Sequence, residues 1–154
     1  MPSPSRTSVP AHLHTLATSV IPIPFSIRSM AMDPSTYMQV VTKLDGLPGM
    51  EEDDVVLQYR VNTWQWTRTG MREHTVSEVR EVRLPLPSIR RAELRRGWFR
   101  TRVVLFPADL RGFAGIPGFS GTELVLRIPR AERGGAEHLV NSIELGLSAR
   151  LLGR

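Results

Sequence analysis

The chain of 154 residues contains no cysteine and only one lysine, Lys43. The absence of thiols excludes disulfides, thiolate nucleophiles and cysteine–zinc sites, and it permits a reducing compartment. Long apolar runs are also missing, since none approaches the roughly 18 residues that a membrane-spanning helix needs. These absences predict a cytoplasmic protein, and they leave association at the periphery of a membrane open.

Arginine accounts for nineteen of the twenty basic residues. Because the arginine pKa is very high, this set lifts the calculated pI to 10.9 although the formal net charge is only +5. Residues 1–32 hold Arg6 and Arg28 and no acidic residue, so the rest has 18 basic and 15 acidic residues, or +3. A mildly basic domain with almost no lysine disfavours a nucleic-acid binder.

Residues 1–32 differ in composition from the remainder, being rich in serine, threonine and proline. Pro22 and Pro24 interrupt the apolar piece "SVIPIPFSI" and forbid a stable helix there, which also argues against a transit peptide. We therefore expect a disordered extension, or a start assigned too early with Met30 or Met32 as the true first residue. Residues 33–54 carry the turn signals "LDGLPG" and "EEDD" and are expected to form an irregular lead-in.

Residues 55–152 are expected to form one domain. Leu57, Tyr59 and Val61 alternate with polar residues, and Trp64 and Trp66 continue the alternation, which is typical of a half-buried strand. Further strands are predicted in "VREVRLPL", "RVVLF" and "TELVLRIP", with a glycine- and proline-rich loop before the last. The apolar spacing in "AEHLVNSIELGLSARLL" predicts a helix that begins near Gly134. The predicted class is α+β, an antiparallel sheet with one C-terminal helix.

The segment Ile89–Arg102 holds six arginines and one glutamate, Glu93. "RRGWFR" places Gly97 at the first central position of a two-residue type II′ turn, which predicts a tight hairpin. In that register Leu94 faces Thr101 on the core side, and Glu93 faces Arg102 on the outer side. Exposed ion pairs of this kind contribute about 0.2–1 kcal/mol each.

The outer side and the tip of this hairpin supply the candidate binding residues. They are Arg91, Arg95, Arg96, Trp98, Phe99, Arg100 and Arg102. Three interpretations stay open: a solvated charged face or protein interface, a site for an anionic lipid or phosphate ligand, and a platform for single-stranded nucleic acid. The first is preferred, with a protein partner or a second copy of the chain as the binding partner.

A bent open sheet leaves strand edges, which offers a route to self-association. The proline-bearing strand around Leu84–Pro87 is expected to be a partly protected edge. An exposed edge beside the arginine hairpin is expected to be able to pair with its copy in a dimer.

The order of "RLPLPSIRRAELRRGWFRTRVVLF", "LRGFAGIPG" and "TELVLRIPRAERGGAEHLVNSIELGL" resembles a bacterial pleckstrin-homology-like or GRAM-like domain over about residues 55–152. The resemblance implies a strongly bent antiparallel sheet, a half-open barrel, capped by the C-terminal helix. It implies binding sites for lipids, peptides or proteins and no shared catalytic residue.

Catalytic and metal-binding patterns are missing. His74 and His138, the histidines outside residues 1–32, do not have the spacing of metal ligands. Glycine-rich segments lack the lysine of a phosphate loop, and Ser120 does not match the nucleophile-elbow pattern. The sequence therefore predicts a non-enzymatic binding or assembly module without metal or cofactor.

Overall fold

The structure, a computed structural model, describes residues 23–33 and 38–153. Within these residues eight strands form one antiparallel sheet, and one α-helix follows the last strand. The elements are β1 (Phe25–Asp33), β2 (Met38–Glu51), β3 (Asp54–Thr67), β4 (Gly70–Val76), β5 (Arg80–Pro85), β6 (Ile89–Arg96), β7 (Arg100–Pro107), β8 (Leu124–Pro129) and α1 (Arg133–Leu152). Two short 3-10 turns, Leu86–Ser88 and Arg130–Glu132, precede β6 and α1. The predicted α+β class is confirmed.

The strands lie in the order β4-β3-β2-β1-β8-β7-β6. The long strand β3 pairs with β2 along one side, and on its other side it pairs first with β5 and then with β4. The last strand, β8, returns to lie between β7 and β1, with Ser26 opposite Arg127. This return places the first described strand, β1, beside the last, β8.

The sheet is strongly bent and open. Helix α1 packs against β6, β7 and β8, and it also contacts β2, which is separated from β6 by three intervening strands. A flat sheet would hold β2 and β6 about 19 Å apart, at 4.8 Å per strand, too far for one helix to contact both closely. We call the side that faces α1 the inner face and the opposite side the outer face.

The core lies between the inner face and α1. Most of its residues come from β1, β3, β7 and β8, which contribute alternate positions, as the period of two requires. The helix contributes Ala136, Leu139, Val140 and Ile143. Phe113 and Ile116, from the long loop between β7 and β8, complete the core.

The expected boundary at residue 32 is wrong. Residues 25–32 lie in β1, where Phe25 and Ile27 are buried among the core side chains. Ile23 is also buried, against Gly135 of α1. Buried Phe25 and Ile27 alternate with polar Ser26 and Arg28, which is a strand pattern. Pro22 and Pro24 obscured this pattern in the sequence, although both precede the strand. Residues 1–22 of the expected extension lie outside the described residues.

The expected irregular lead-in at residues 33–54 is also wrong. Residues 38–51 form β2, which pairs with both β1 and β3 despite Gly46, Pro48 and Gly49. A Cβ atom on Gly46 would lie 2.7 Å from the Cβ of Tyr59 and 2.8 Å from Phe25. Gly46 therefore permits close packing at this point and does not mark a turn. The turn occurs later, at Glu52, which has a φ of 52°.

The hairpin is present, but its predicted register is wrong by two residues. Arg96 pairs with Thr101 and Leu94 with Val103, so Trp98 and Phe99 stand at the tip. Gly97 does not have a positive φ, so a type II′ turn centred on it is excluded. Its N–H instead donates to the carbonyl of Arg100 (3.1 Å). A shift of two residues keeps every side chain on its predicted face.

The edges of the sheet agree with the predictions only in part. β5 pairs with β3 alone, which confirms that the proline-bearing strand is an edge. The edge beside the arginine hairpin, β6, is not free, because α1 lies along it and Glu144 accepts a hydrogen bond from the N–H of Ala92. At Ala92 the backbone donor of β6 is therefore already used within the chain.

Candidate functional site

Three of the predicted hairpin arginines are held in ion pairs within the chain. Arg91 and Arg95 flank Glu93 on the same strand, at 2.9 and 3.4 Å. Arg95 also reaches Glu123 (3.4 Å), and Arg96 lies 2.9 Å from Glu137 of α1. The predicted pair between Glu93 and Arg102 is absent, because the corrected register places Val104 opposite Glu93.

Two of these arginines also cover an aromatic ring on the outer face. The guanidinium carbon of Arg91 lies 4.2 Å from the ring centroid of Phe106, and that of Arg95 lies 5.8 Å from it. Only 8% of Phe106 is exposed, although it lies on the outer face. Packing of this kind uses the arginine stems as well as their charges. Arg91, Arg95 and Arg96 thus have structural roles.

Arg100 and Arg102 lie in a different environment. No carboxylate of the described residues lies within 4 Å of either guanidinium, and Arg102 lies directly opposite another arginine, Arg127 of β8. At the tip beside them, Trp98 and Phe99 are 88% and 87% exposed. The seven predicted residues therefore divide into a neutralised group and a group with uncompensated charge.

Arg100 extends into an elongated depression on the outer face, which we call the outer groove. It consists of two hollows of about 390 and 380 Å³ that share Ser26, Lys43 and Arg100. Its basic lining residues are Arg28, Lys43, Arg100, Arg127 and Arg130. Its aromatic lining residues are Phe25, Trp64, Trp66 and Phe99.

Strand register brings the basic residues of the outer groove together. Directly opposite residues of antiparallel strands point to the same face. Arg28 on β1 lies opposite Lys43 on β2, and Arg127 on β8 lies opposite both Ser26 and Arg102. Residues far apart in the sequence therefore form adjacent rows on the outer face.

The outer groove has an excess of positive charge. Asp45 is the one acidic residue that lines it, and Lys43 Nζ lies 2.8 Å from Asp45 Oδ1. Asn62 Nδ2 donates a weaker hydrogen bond to the other oxygen of Asp45 (3.3 Å). The four arginines of the groove have no carboxylate within 4 Å among the described residues, so about four positive charges face solvent.

An apolar surface adjoins the groove on the outer face of β1 to β4. We call it the outer patch: Met30, Met32, Trp66, Met71 and Val76, which are 59%, 68%, 40%, 56% and 53% exposed. Beside it the rings of Trp64 and His74 stack, with centroids 4.8 Å apart and planes within 3°. Several large exposed apolar side chains on one face of a small domain are typical of an interaction site.

The sequence predictions missed most of this surface. Arg28 lies in the expected extension, Lys43 in the expected lead-in and Arg127 in the strand predicted from "TELVLRIP", and none of the three is among the candidate binding residues. One signal was available in β3, where the apolar positions are odd-numbered from Leu57 to Val61 and even-numbered at Trp64 and Trp66. That change of phase places two indoles on the outer face.

The described residues contain no group of three or more histidine, aspartate or glutamate side chains arranged to hold a metal ion. A hydrogen bond donated by Gln58 lowers the pKa of the Glu81 carboxyl, and Arg83 lowers it further. The Arg83 guanidinium lies 2.8 Å from a carboxylate oxygen of Glu51 on β2 and 2.8 Å from one of Glu81 on β5. Neither glutamate lines the outer groove, so this network belongs to another part of the sheet surface.

No protein-family model, curated protein or solved structure matches the chain. Among the described residues, no helix has the length and apolar character needed to cross a bilayer.

Proposed function

We propose that the protein is a non-catalytic binding or assembly module that engages a protein partner through the outer face of its sheet. The observation that carries the proposal is the outer patch, where five large apolar side chains are exposed beside the basic groove. Methionine and tryptophan are enriched where proteins meet, because both offer large contact areas and methionine adapts its shape.

The proposal keeps the family assignment suggested by the sequence, a pleckstrin-homology-like or GRAM-like domain. What supports it is the order of the elements: antiparallel strands that form a bent open sheet, followed by one helix that covers the inner face. Domains of this architecture commonly use exposed surfaces rather than catalytic residues, so a binding role is consistent with it.

Photo-crosslinking tests the proposal. Benzoylphenylalanine is placed at Met30 or Met71, both in the outer patch, and at Leu145 as a control, since Leu145 is apolar and 71% exposed on α1. The proposal expects a discrete adduct from both patch positions, in native cells or with the purified protein alone, that excess unlabelled protein competes away. Equal adducts from Leu145, or none from either patch position, would contradict it.

A second copy of the chain is the first partner to test, and light scattering at two concentrations decides this. A mass that rises with concentration for the wild type, and that stays monomeric for Met71→Ser, identifies the partner as the protein itself. A constant monomeric mass, together with adducts in cells, identifies the partner as another protein.

Binding of an anionic lipid or phosphate ligand by the hairpin is the second candidate function. The observation that favours it is the exposed pair Trp98 and Phe99 beside the uncompensated Arg100 and Arg102. Tryptophan at an interface and guanidinium groups on phosphates are a common combination. It is the weaker candidate, because Arg91, Arg95 and Arg96 are already neutralised by Glu93, Glu123 and Glu137.

A further inference from the structure

We infer that the outer groove binds an extended acidic segment of a polypeptide, with an apolar side chain of that segment on Trp64 and Trp66. The inference rests on the proposed function and names the chemistry of the partner. It assigns the basic half of the outer face to recognition of carboxylates and the aromatic half to an apolar anchor.

The contrast between the two sides of the hairpin supports a charged ligand. On the β6 side every predicted arginine forms an ion pair, and the carboxylates belong to Glu93, Glu123 and Glu137. On the groove side Arg100 and Arg127 have none among the described residues. Clustered like charges repel one another, and an anionic ligand would relieve this repulsion.

The groove offers basic residues on successive strands. It runs from Trp64 on β3 to Arg100 on β7 across five neighbouring strands, and both of these side chains line one hollow. An extended peptide laid across these strands would meet the basic residues in turn. Alternate side chains of such a segment point to the same side, so three carboxylates can face Arg28, Arg127 and Arg100.

Asp45 favours a peptide over a nucleic acid. Its carboxylate lines one of the two hollows and accepts bonds from Lys43 and Asn62, so it retains capacity for another donor. The backbone N–H groups of a peptide are such donors, whereas the phosphate groups of a nucleic acid are not. The methionines of the adjoining outer patch also suit aliphatic side chains better than bases.

The three tryptophans of the chain provide the readout. In a Trp98→Phe variant the tryptophan fluorescence comes only from Trp64 and Trp66, and both line the groove. The probe is a capped hexapeptide of alternating glutamate and serine that ends in leucine, and the control peptide has glutamine for each glutamate. We expect saturable fluorescence changes with the acidic peptide, at least about tenfold weaker affinity for the glutamine peptide, and weakening as salt rises from 50 to 300 mM.

Charge-matched variants locate the binding. Arg100→Glu is compared with Arg111→Glu, which makes the same charge change on an exposed residue of the loop between β7 and β8. We expect Arg100→Glu to weaken peptide binding at least about tenfold and Arg111→Glu to change it less than about twofold. Arg127→Glu provides an independent test if Arg100→Glu disturbs the hairpin, and unfolding midpoints establish that each variant folds.

Equal affinity for both peptides, or equal effects of Arg100→Glu and Arg111→Glu, would overturn the assignment of the groove. Tighter binding of hexathymidylate, or of vesicles containing phosphatidylserine, would overturn the polypeptide as ligand. Crosslinking from Met30 and Met71 tests the proposed function without any peptide. Failure of the groove assignment can therefore be distinguished from failure of the proposed function.

Discussion

The backbone N–H of Ala92 donates a hydrogen bond to Oε1 of Glu144 (2.7 Å) and so joins strand β6 to helix α1. An edge strand otherwise presents unpaired N–H groups to other chains. A carboxylate from the covering helix satisfies one of these donors at a position where Ala92 is buried. This contact protects the edge of β6 at that position.

Replacement of Glu144 should destabilise this edge. Glu144→Ala leaves the Ala92 N–H without its partner, and we expect a loss of about 1–3 kcal/mol in the free energy of unfolding. Glu144→Gln keeps a side-chain oxygen as acceptor and should lose less. Urea denaturation of both variants measures the difference, and equal losses would show that the hydrogen bond contributes nothing specific.

Strand β1 should be essential to the core. Phe25→Ala removes a ring that is 2% exposed, and we expect a loss of about 3–5 kcal/mol from the cavity and the lost burial. Met32→Ala, on the same strand but 68% exposed, should stay within about 0.5 kcal/mol. Thermal and urea unfolding test both. A small loss for Phe25→Ala would show that the domain does not depend on β1.

Gly46 should tolerate no side chain. A methyl group there would overlap the backbone of Gln58 and the side chains of Tyr59 and Phe25. We expect Gly46→Ala to cost at least about 1–3 kcal/mol through overpacking and displacement of β2 from β3. The control is Gly115→Ala, in the loop between β7 and β8, where no atom lies within 4 Å of the added Cβ. It should be neutral or slightly stabilising, and unfolding curves that place both variants at the same midpoint would contradict the packing at Gly46.

The hairpin tip should be dispensable for folding. Because Trp98 and Phe99 are almost fully exposed, the double variant Trp98→Ser, Phe99→Ser should keep the free energy of unfolding within about 0.5 kcal/mol. The same variant tests the lipid alternative by co-sedimentation with anionic vesicles. A wild type that sediments with them, and a variant that does not, would favour the second candidate function. Failure of the wild type to bind vesicles would remove it.

The local features of the fold follow from the sequence because they depend on short-range patterns. Alternation at Leu57 and Tyr59 predicts β3, and the three- and four-residue spacing of Leu139, Val140 and Ile143 predicts α1. Which face of the hairpin carries its arginines also follows, since a register error of two residues leaves alternation intact. These predictions needed no knowledge of neighbouring strands.

The candidate site depends on tertiary structure. Prolines 22 and 24 and the glycines of β2 suppressed the strand signals of β1 and β2, and only pairing with β8 and β3 shows that these segments belong to the sheet. Their inclusion brings Arg28 and Lys43 beside Arg100 and Arg127. Alternation along the chain determined which side chains point outward, whereas pairing between distant strands decided which of them became neighbours, because register is set by contacts that no local pattern contains.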